Sequence, residues 1–258
     1  MTLNFSETQD KPKCKQCKDI GWIYTKKGVV KCECKLGKLD QNIYTRMRIP
    51  PRYRHVSLDK FQILKKHKHH ILIKQIKDYI LYPKEFKLGK GLFLVGNPGV
   101  GKTHLAISIL KELYKTRGIV GLFYDTNNLL FDLRATFDGK TSTRELLNEV
   151  ISTPILVLDD LGAERLSDWA KDILHYIITT RYNQLKPVII TSNIHIDQPT
   201  EKSNQPQNLD ISLKDRLGNS IASRLEEMCK ILEVQGEDMR KTTIVKKMLE
   251  DTIEESND

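Results

Sequence analysis

One stretch limits what this chain can fold into more than any other: Gly96-Asn97-Pro98-Gly99-Val100-Gly101-Lys102-Thr103. It follows the apolar run Gly91-Leu92-Phe93-Leu94-Val95 and leads into Thr103-His104-Leu105-Ala106-Ile107-Ser108-Ile109-Leu110. A short apolar run, a glycine-rich break and a helical pattern predict a buried strand, a tight loop and a helix. The spacing matches G-x-x-x-x-G-K-[ST], the phosphate-binding pattern. Its glycines let the backbone curl until several N–H groups converge, and the helix start adds the positive end of its dipole. Gly96 through His104 is therefore the expected nucleotide cradle. Lys102 is expected at the β- and γ-phosphates, and Thr103 offers a hydroxyl to Mg2+.

Such a loop needs a second wall, and two later stretches supply candidates. Pro154-Ile155-Leu156-Val157-Leu158-Asp159-Asp160 is a continuous apolar run ending in two carboxylates, as expected of a parallel strand buried on both faces. Asp159 is the expected Mg2+ ligand, and Asp160 the group that polarises an attacking water. The plainer reading is two acids closing a strand. Pro187-Val188-Ile189-Ile190-Thr191-Ser192-Asn193 is a similar run, and Asn193 at its tip can hold the attacking water or a γ-phosphate oxygen. Val120-Gly121-Leu122-Phe123-Tyr124-Asp125 reads as a further strand between the two motifs. That strand, with the second acid, points to the ATPase branch of phosphate-loop proteins rather than the kinase branch.

The helices expected between these strands have recognisable ends. Thr116-Arg117-Gly118 closes one, Asn127 or Asn128 caps another over 129–137, and Thr143 opens a third running to Ile151. Ser167 to Gln184 carries Ile173, Leu174, Ile177 and Ile178 on one face. Ser212-Leu213-Lys214-Asp215 reads as a capping box before a helix that continues through Gly218-Asn219 to Met228. Ile231 to Val234 suits a last strand, and Gly236-Glu237-Asp238-Met239-Arg240 opens a final helix. Residues 198–210 read as a polar loop, residues 250–258 as an acidic disordered end, and Cys229 as a buried apolar filler.

Charge separates the chain into two parts. Of the 258 residues, the first 90 hold 22 Lys and Arg against 8 Asp and Glu, a net +14, while the rest carry −5. A basic N-terminal third points to a polyanion or an acidic partner surface, with a merely solvated basic face as the bland alternative. The same third holds Cys14-Lys15-Gln16-Cys17 and Cys32-Glu33-Cys34, four of the five cysteines. Two close pairs across a hairpin-like span suit a tetrahedral zinc site made of four thiolates, with disulfide or redox chemistry as the competing reading. Surrounding lysines favour the thiolates that zinc needs. Lys38 to Met47 is helix-permissive, Ile49-Pro50-Pro51-Arg52-Tyr53-Arg54 is a connector, and 61–81 is an amphipathic helix. His67, His69 and His70 read as a solvated basic helix end rather than a metal site. No apolar run approaches the roughly 20 residues of a membrane helix, so a cytoplasmic setting is expected.

Taken together, Lys90 to Ala106, Leu158-Asp159-Asp160-Leu161-Gly162-Ala163-Glu164 and Ile190-Thr191-Ser192-Asn193 resemble the AAA+ ATPases of the DnaC/DnaI helicase-loader family and the related IstB-like proteins. Arg216 to Leu225 and Gly236-Glu237-Asp238-Met239-Arg240 continue the likeness, which covers about residues 49–245. The resemblance implies an α/β fold, an AAA+ P-loop core with a parallel five-stranded sheet between helices, preceded by a small zinc-knuckle domain. It implies residues 1–48 as a zinc-binding adaptor, 49–90 as basic linker and helix, 91–245 as the ATPase core and 246–258 as an acidic tail. It further implies ATP, Mg2+ and Zn2+ as cofactors. Arg224 is similar to the family's arginine finger, acting in trans and so requiring self-association, with Arg216 the rival on the same helix. Arg240 matches the second sensor arginine. A surface ion pair is the plain reading of each arginine. Arg134, Lys140 and Arg144 are candidate contacts to single-stranded DNA. The expected function is ATP-dependent loading of a replicative helicase during replication initiation. The alternatives are a transposition helper ATPase that remodels DNA, and a nucleotide-regulated DNA-binding adaptor with incidental hydrolysis.

Overall fold

Trp22–Thr25 (β1) and Gly28–Lys31 (β2) pair antiparallel in the register Trp22↔Lys31, as the hairpin-like span between the cysteine pairs predicts. The computed structural model describes residues 22–25, 28–31, 41–63, 69–135, 143–163, 165–197 and 212–241. Cys14, Cys17, Cys32, Cys34, His67, Lys140, the polar loop over 198–210 and the acidic end all lie outside the described residues. The chain divides into two compact units, Met1–Ile43 and Tyr44–Asp258, with the short helix α1 (Gln41–Arg46) at their boundary.

In the second unit the apolar runs become five parallel strands: β3 (Gly91–Val95), β4 (Leu122–Asp125), β5 (Leu156–Asp159), β6 (Val188–Ser192) and β7 (Cys229–Glu233). Their order across the sheet is β4-β5-β6-β3-β7, all neighbours parallel. Every residue of β3, β5 and β6 is buried, which is why these strands read as unbroken apolar runs rather than alternating ones. At the sheet edge β7 exposes Lys230, Ile231 and Glu233 and buries Cys229 and Leu232. Each fully buried leucine, isoleucine or phenylalanine contributes about 1.5–3 kcal/mol of transfer free energy. The sheet therefore fixes where its strand tips point.

Helices cover both faces of the sheet. They are α2 (Leu58–Ile63), α3 (His69–Leu81), α4 (Pro83–Lys87), α5 (Lys102–Arg117), α6 (Thr126–Ala135), α7 (Thr143–Ser152), α8 (Asp168–Asn183), α9 (Leu213–Leu217) and α10 (Asn219–Met228). Phe93, Leu156, Leu158 and Ile190 pack with Leu129, Leu174, Ile177, Ile221 and Leu225 in one cluster on the side of α6, α8 and α10. On the opposite side α5 packs against β3, β5 and β6 and carries α2 and α3. Lys111 of α5 holds the segment before α2 in place: its buried ammonium donates to the carbonyls of Arg54 and Val56, both at 2.6 Å. Burial pulls that lysine down to about 8.

Several boundaries differ from those expected. α6 begins at Thr126, because the Asp125 carboxylate at the end of β4 accepts the Asn128 N–H at 3.0 Å and serves as the cap. The helix expected over 61–81 is described as α2 and α3, with 64–68 outside the described residues. The helix expected from Leu213 to Met228 is broken into α9 and α10 at Gly218, whose φ of 87° lies where helices do not go. Met239–Lys241 forms a single 3-10 turn where a final helix was expected to open. The capping box is present, with Ser212 and Asp215 bonding reciprocally, and Ser167 caps α8 through the Ala170 N–H.

Candidate nucleotide site

The tips of β3, β5 and β6 converge, and the polar residues that end those runs meet there. α5 starts at Lys102 behind Gly101, and no side chain caps its first turn. Those N–H groups are left for an anion. The Lys102 ammonium donates to the carbonyls of Gly96 at 2.7 Å and Asn97 at 2.8 Å and to Asn193 Oδ1 at 2.7 Å. Asn193 in turn donates through Nδ2 to Asp160 Oδ1 at 2.8 Å. Thr103 donates to Asp159 Oδ2 at 3.0 Å, and Thr191 donates to Asp159 Oδ1 at 2.6 Å. Five residues singled out in the sequence, Lys102, Thr103, Asp159, Asp160 and Asn193, thus meet at one place.

The electrostatics of this network are those of a site built for an anion and a cation together. Burial pulls Lys102 down to about 8, against the pull of Asp160 and Asp159. Burial pushes Asp159 up to about 6, against the hydrogen bonds from Thr191 and Thr103. Each group is ionised at a cost that a charged ligand offsets. Triphosphate oxygens suit Lys102, and Mg2+ suits Thr103 and Asp159, because Mg2+ needs one or two carboxylates beside phosphate oxygens and water. Among the described residues no group of three or more His, Cys, Asp and Glu side chains could hold a metal.

Residues that sequence reasoning did not single out complete the site. Asp160 sits at φ 57°, and its N–H donates to Thr191 Oγ1 at 2.9 Å. Thr191 therefore orients both acids at once. Thr126 fixes the same strand end by donating to the Asp159 carbonyl at 2.8 Å. A polar residue inside an otherwise apolar run, as at Thr191, was the available signal. Phe61 of α2 lies against the loop, so that a Cβ at Gly101 would stand 2.8 Å from its ring; the His104 ring is 5.9 Å away, centroid to centroid. The Tyr53 hydroxyl is raised by burial and by the nearby Asp159 charge.

Two loop glycines lie directly against a neighbouring chain segment. A Cβ at Gly96 would lie 2.2 Å from the Val234 carbonyl, and one at Gly99 would lie 1.8 Å from the Asp238 carboxylate. Residues 234–241 thus cross the loop, pinned where Val234 N–H donates to the Val95 carbonyl at 2.7 Å and Met239 N–H to that of Gly99 at 3.0 Å. Asn97 and Pro98 are exposed beside them, and Val100 is buried. Arg240 approaches the same place, held by Asp238 Oδ1 at 3.1 Å.

The two remaining arginines behave differently. Arg216 donates through Nη1 to the carbonyls of Gly162 and Ala163, which ties α9 to the loop that follows Asp160. Arg224 is not part of the network around Lys102; it lies on α10, bonded to Ser220 and facing Tyr182 of α8. Arg134 and Arg144 are exposed on α6 and α7. Among the described residues no helix is long and apolar enough to cross a membrane.

Known proteins share this arrangement. The chain is 31% identical over 128 residues to the replicative helicase loader DnaI of Bacillus subtilis (strain 168), 49% of this chain and 40% of that protein. It is 29% identical over 171 residues to YqaM of the same strain, 62% of this chain and 49% of YqaM. It therefore spans about half or less of the length of these two relatives. A crystal structure of the DnaC helicase loader superposes with a TM-score of 0.61 at 40% identity, covering 72% of this chain and all of that one. The sheet order and loop are those of an AAA+ P-loop core. The model of the IstB-like ATP-binding proteins matches residues 86–247. That span takes in every strand of the five-stranded sheet and both halves of the nucleotide site, and the chain belongs to this family.

Proposed function

We propose that this chain is an ATP-dependent loader of a replicative DNA helicase. It hydrolyses ATP to ADP and phosphate to govern its grip on helicase and single-stranded DNA. The observation that carries the reading is the linked set Lys102–Asn193–Asp160 and Thr103–Asp159–Thr191, in a chain similar to proteins named as helicase loaders. Bound Mg2+–ATP supplies a γ-phosphorus open to attack by water, with the metal offsetting the charge on its oxygens. Lys102 exchanges its carbonyl and amide partners for β- and γ-phosphate oxygens, which frees Asn193. Thr103 and Asp159 hold Mg2+, and Thr191 keeps Asp159 aimed. Asp160 accepts the proton of the attacking water at a carboxylate oxygen while Asn193 orients that water. Arg240 leaves Asp238 for the phosphates, and Arg224 reaches the ATP of a neighbouring copy, so turnover requires self-association.

The basic N-terminal part supplies the specificity. Residues 1–48 are a zinc-binding adaptor in which Cys14, Cys17, Cys32 and Cys34 hold one Zn2+, 49–90 are linker and helix, 91–245 are the ATPase core, and 246–258 are the tail. A cytoplasmic setting follows from the role. Mixed with its cognate replicative helicase, the full chain is expected to co-elute with it, at one zinc per chain by elemental analysis. Cys14→Ser should lose both zinc and helicase while binding ATP as before, because a small metal module depends on its metal to fold. A zinc-loaded chain that fails to retain the helicase contradicts the reading. A Cys14→Ser chain that also loses ATP contradicts the separation of adaptor and core.

A further inference from the structure

The helix pair α8 and α10 carries a polar cluster that the nucleotide site does not use. On α10, Ser220, Arg224 and Glu227 follow one another at helical spacing; His175 and Tyr182 of α8 face them. The Tyr182 hydroxyl donates to Glu227 Oε2 at 2.7 Å. The Arg224 guanidinium carbon lies 5.9 Å from the Tyr182 ring centroid. Arg224 Nη1 donates to the Ser220 carbonyl at 2.8 Å and to the Ser220 hydroxyl, which also meets His175 Nε2 at 3.0 Å. Arg224 Nε is buried without a hydrogen-bond partner, whereas Nη2 is neither bonded nor buried among the described residues. The guanidinium is thus held at Nη1 and over one face, and among the described residues Nη2 is the nitrogen left open.

What is missing is the partner an exposed helix would ordinarily provide. Glu227 stands three residues from Arg224, the spacing at which an acid and a base on one helix pair. Yet among the described residues Arg224 enters no ion pair, and the Glu227 carboxylate is taken by Tyr182.

We infer that Tyr182 is a positioning residue for Arg224: its ring supports the guanidinium and its hydroxyl holds Glu227 away, reserving the arginine's charge for the polyphosphate bound by a second copy of this chain. This inference rests on the proposed trans role of Arg224.

The test uses full-length chains and reads kcat for ATP separately from ATP affinity. Removing a ring from beside a cation and freeing an i,i+3 acid together predict about a tenfold fall in kcat for Tyr182→Ala. Tyr182→Phe, which keeps the ring, should fall about threefold, with ATP affinity unchanged in both. Adding Glu227→Gln to Tyr182→Phe should restore kcat, which a merely structural role for the tyrosine does not predict. In mixtures with Lys102→Ala, both Arg224→Ala and Tyr182→Ala should regain turnover, because each supplies the intact phosphate loop that the other subunit lacks. If Arg224→Ala mixtures stay inactive, the trans role falls and the inference with it. If they regain turnover but Tyr182→Phe matches wild type, or Glu227→Gln fails to rescue it, the inference alone is overturned.

Discussion

Replacing Asp160 by asparagine is expected to lower ATP turnover by about 10²- to 10⁴-fold, the usual contribution of a positioned general base. ATP binding should stay within about twofold, because the phosphate contacts of Lys102 and the loop are untouched. Asparagine is the informative substitution here. Asp160 sits at φ 57°, a conformation that Asp and Asn tolerate better than other side chains, and its N–H is anchored on Thr191. The amide therefore keeps the backbone and the volume while losing the ability to accept a proton. Phosphate release at saturating ATP measures the first quantity and equilibrium binding of a fluorescent ATP analogue the second. Turnover at the wild-type rate would remove Asp160 from the chemistry.

Arg181→Leu is expected to destabilise the ATPase unit by about 3–5 kcal/mol, the net of four carbonyls losing a charged donor and the relieved burial of the guanidinium. Arg181 is fully buried. Its Nη1 donates to the carbonyls of Val150, Ile151 and Thr153 at 2.8, 3.1 and 3.0 Å, and its Nη2 to the Pro187 carbonyl at 2.8 Å. One side chain therefore closes the C-terminal end of α7 and the entry to β6. Leucine fills part of the space but leaves four carbonyls without this donor, each costing about 1–3 kcal/mol before relaxation. Against that sum stands the cost of burying the guanidinium, which pulls Arg181 down to about 9. The net figure is accordingly below the sum. At about 2–4 °C per kcal/mol for a unit of this size, Tm should fall by about 6–20 °C. A shift under about 2 °C in a thermal melt followed by circular dichroism would show that water or backbone movement replaces those bonds.

The two cases also mark what the sequence made legible. Asp159, Asp160 and Asn193 could be read because strands buried on both faces leave polar residues only at their tips, where ligands sit. Thr191 could have been read on the same grounds, as a hydroxyl in an apolar run. Arg181 falls four residues after Ile177 and three after Ile178, on the apolar face of α8, so its burial was written in the helical period. The roles of Phe61, Tyr53 and Asp238 were not legible, because they arise from contacts between segments distant along the chain. The same holds for Gly96 and Gly99: the loop pattern asks for glycine at 96 and leaves 99 open, and the close neighbours that would meet a side chain are Val234 and Asp238. Arg224 was legible as a residue but not as a geometry; its separation from the Lys102 network and its seat on Tyr182 come from helix packing alone.

Loading is tested most simply by transfer of the cognate replicative helicase onto circular single-stranded DNA, which offers no end to thread. Helicase retained on the circle would be counted with wild-type chain and Mg2+–ATP, with nucleotide omitted, and with Lys102→Ala. Helicase is expected on the circle only when wild-type chain and ATP are both present. Equal retention with Lys102→Ala, or with no loader chain at all, would contradict ATP-dependent loading.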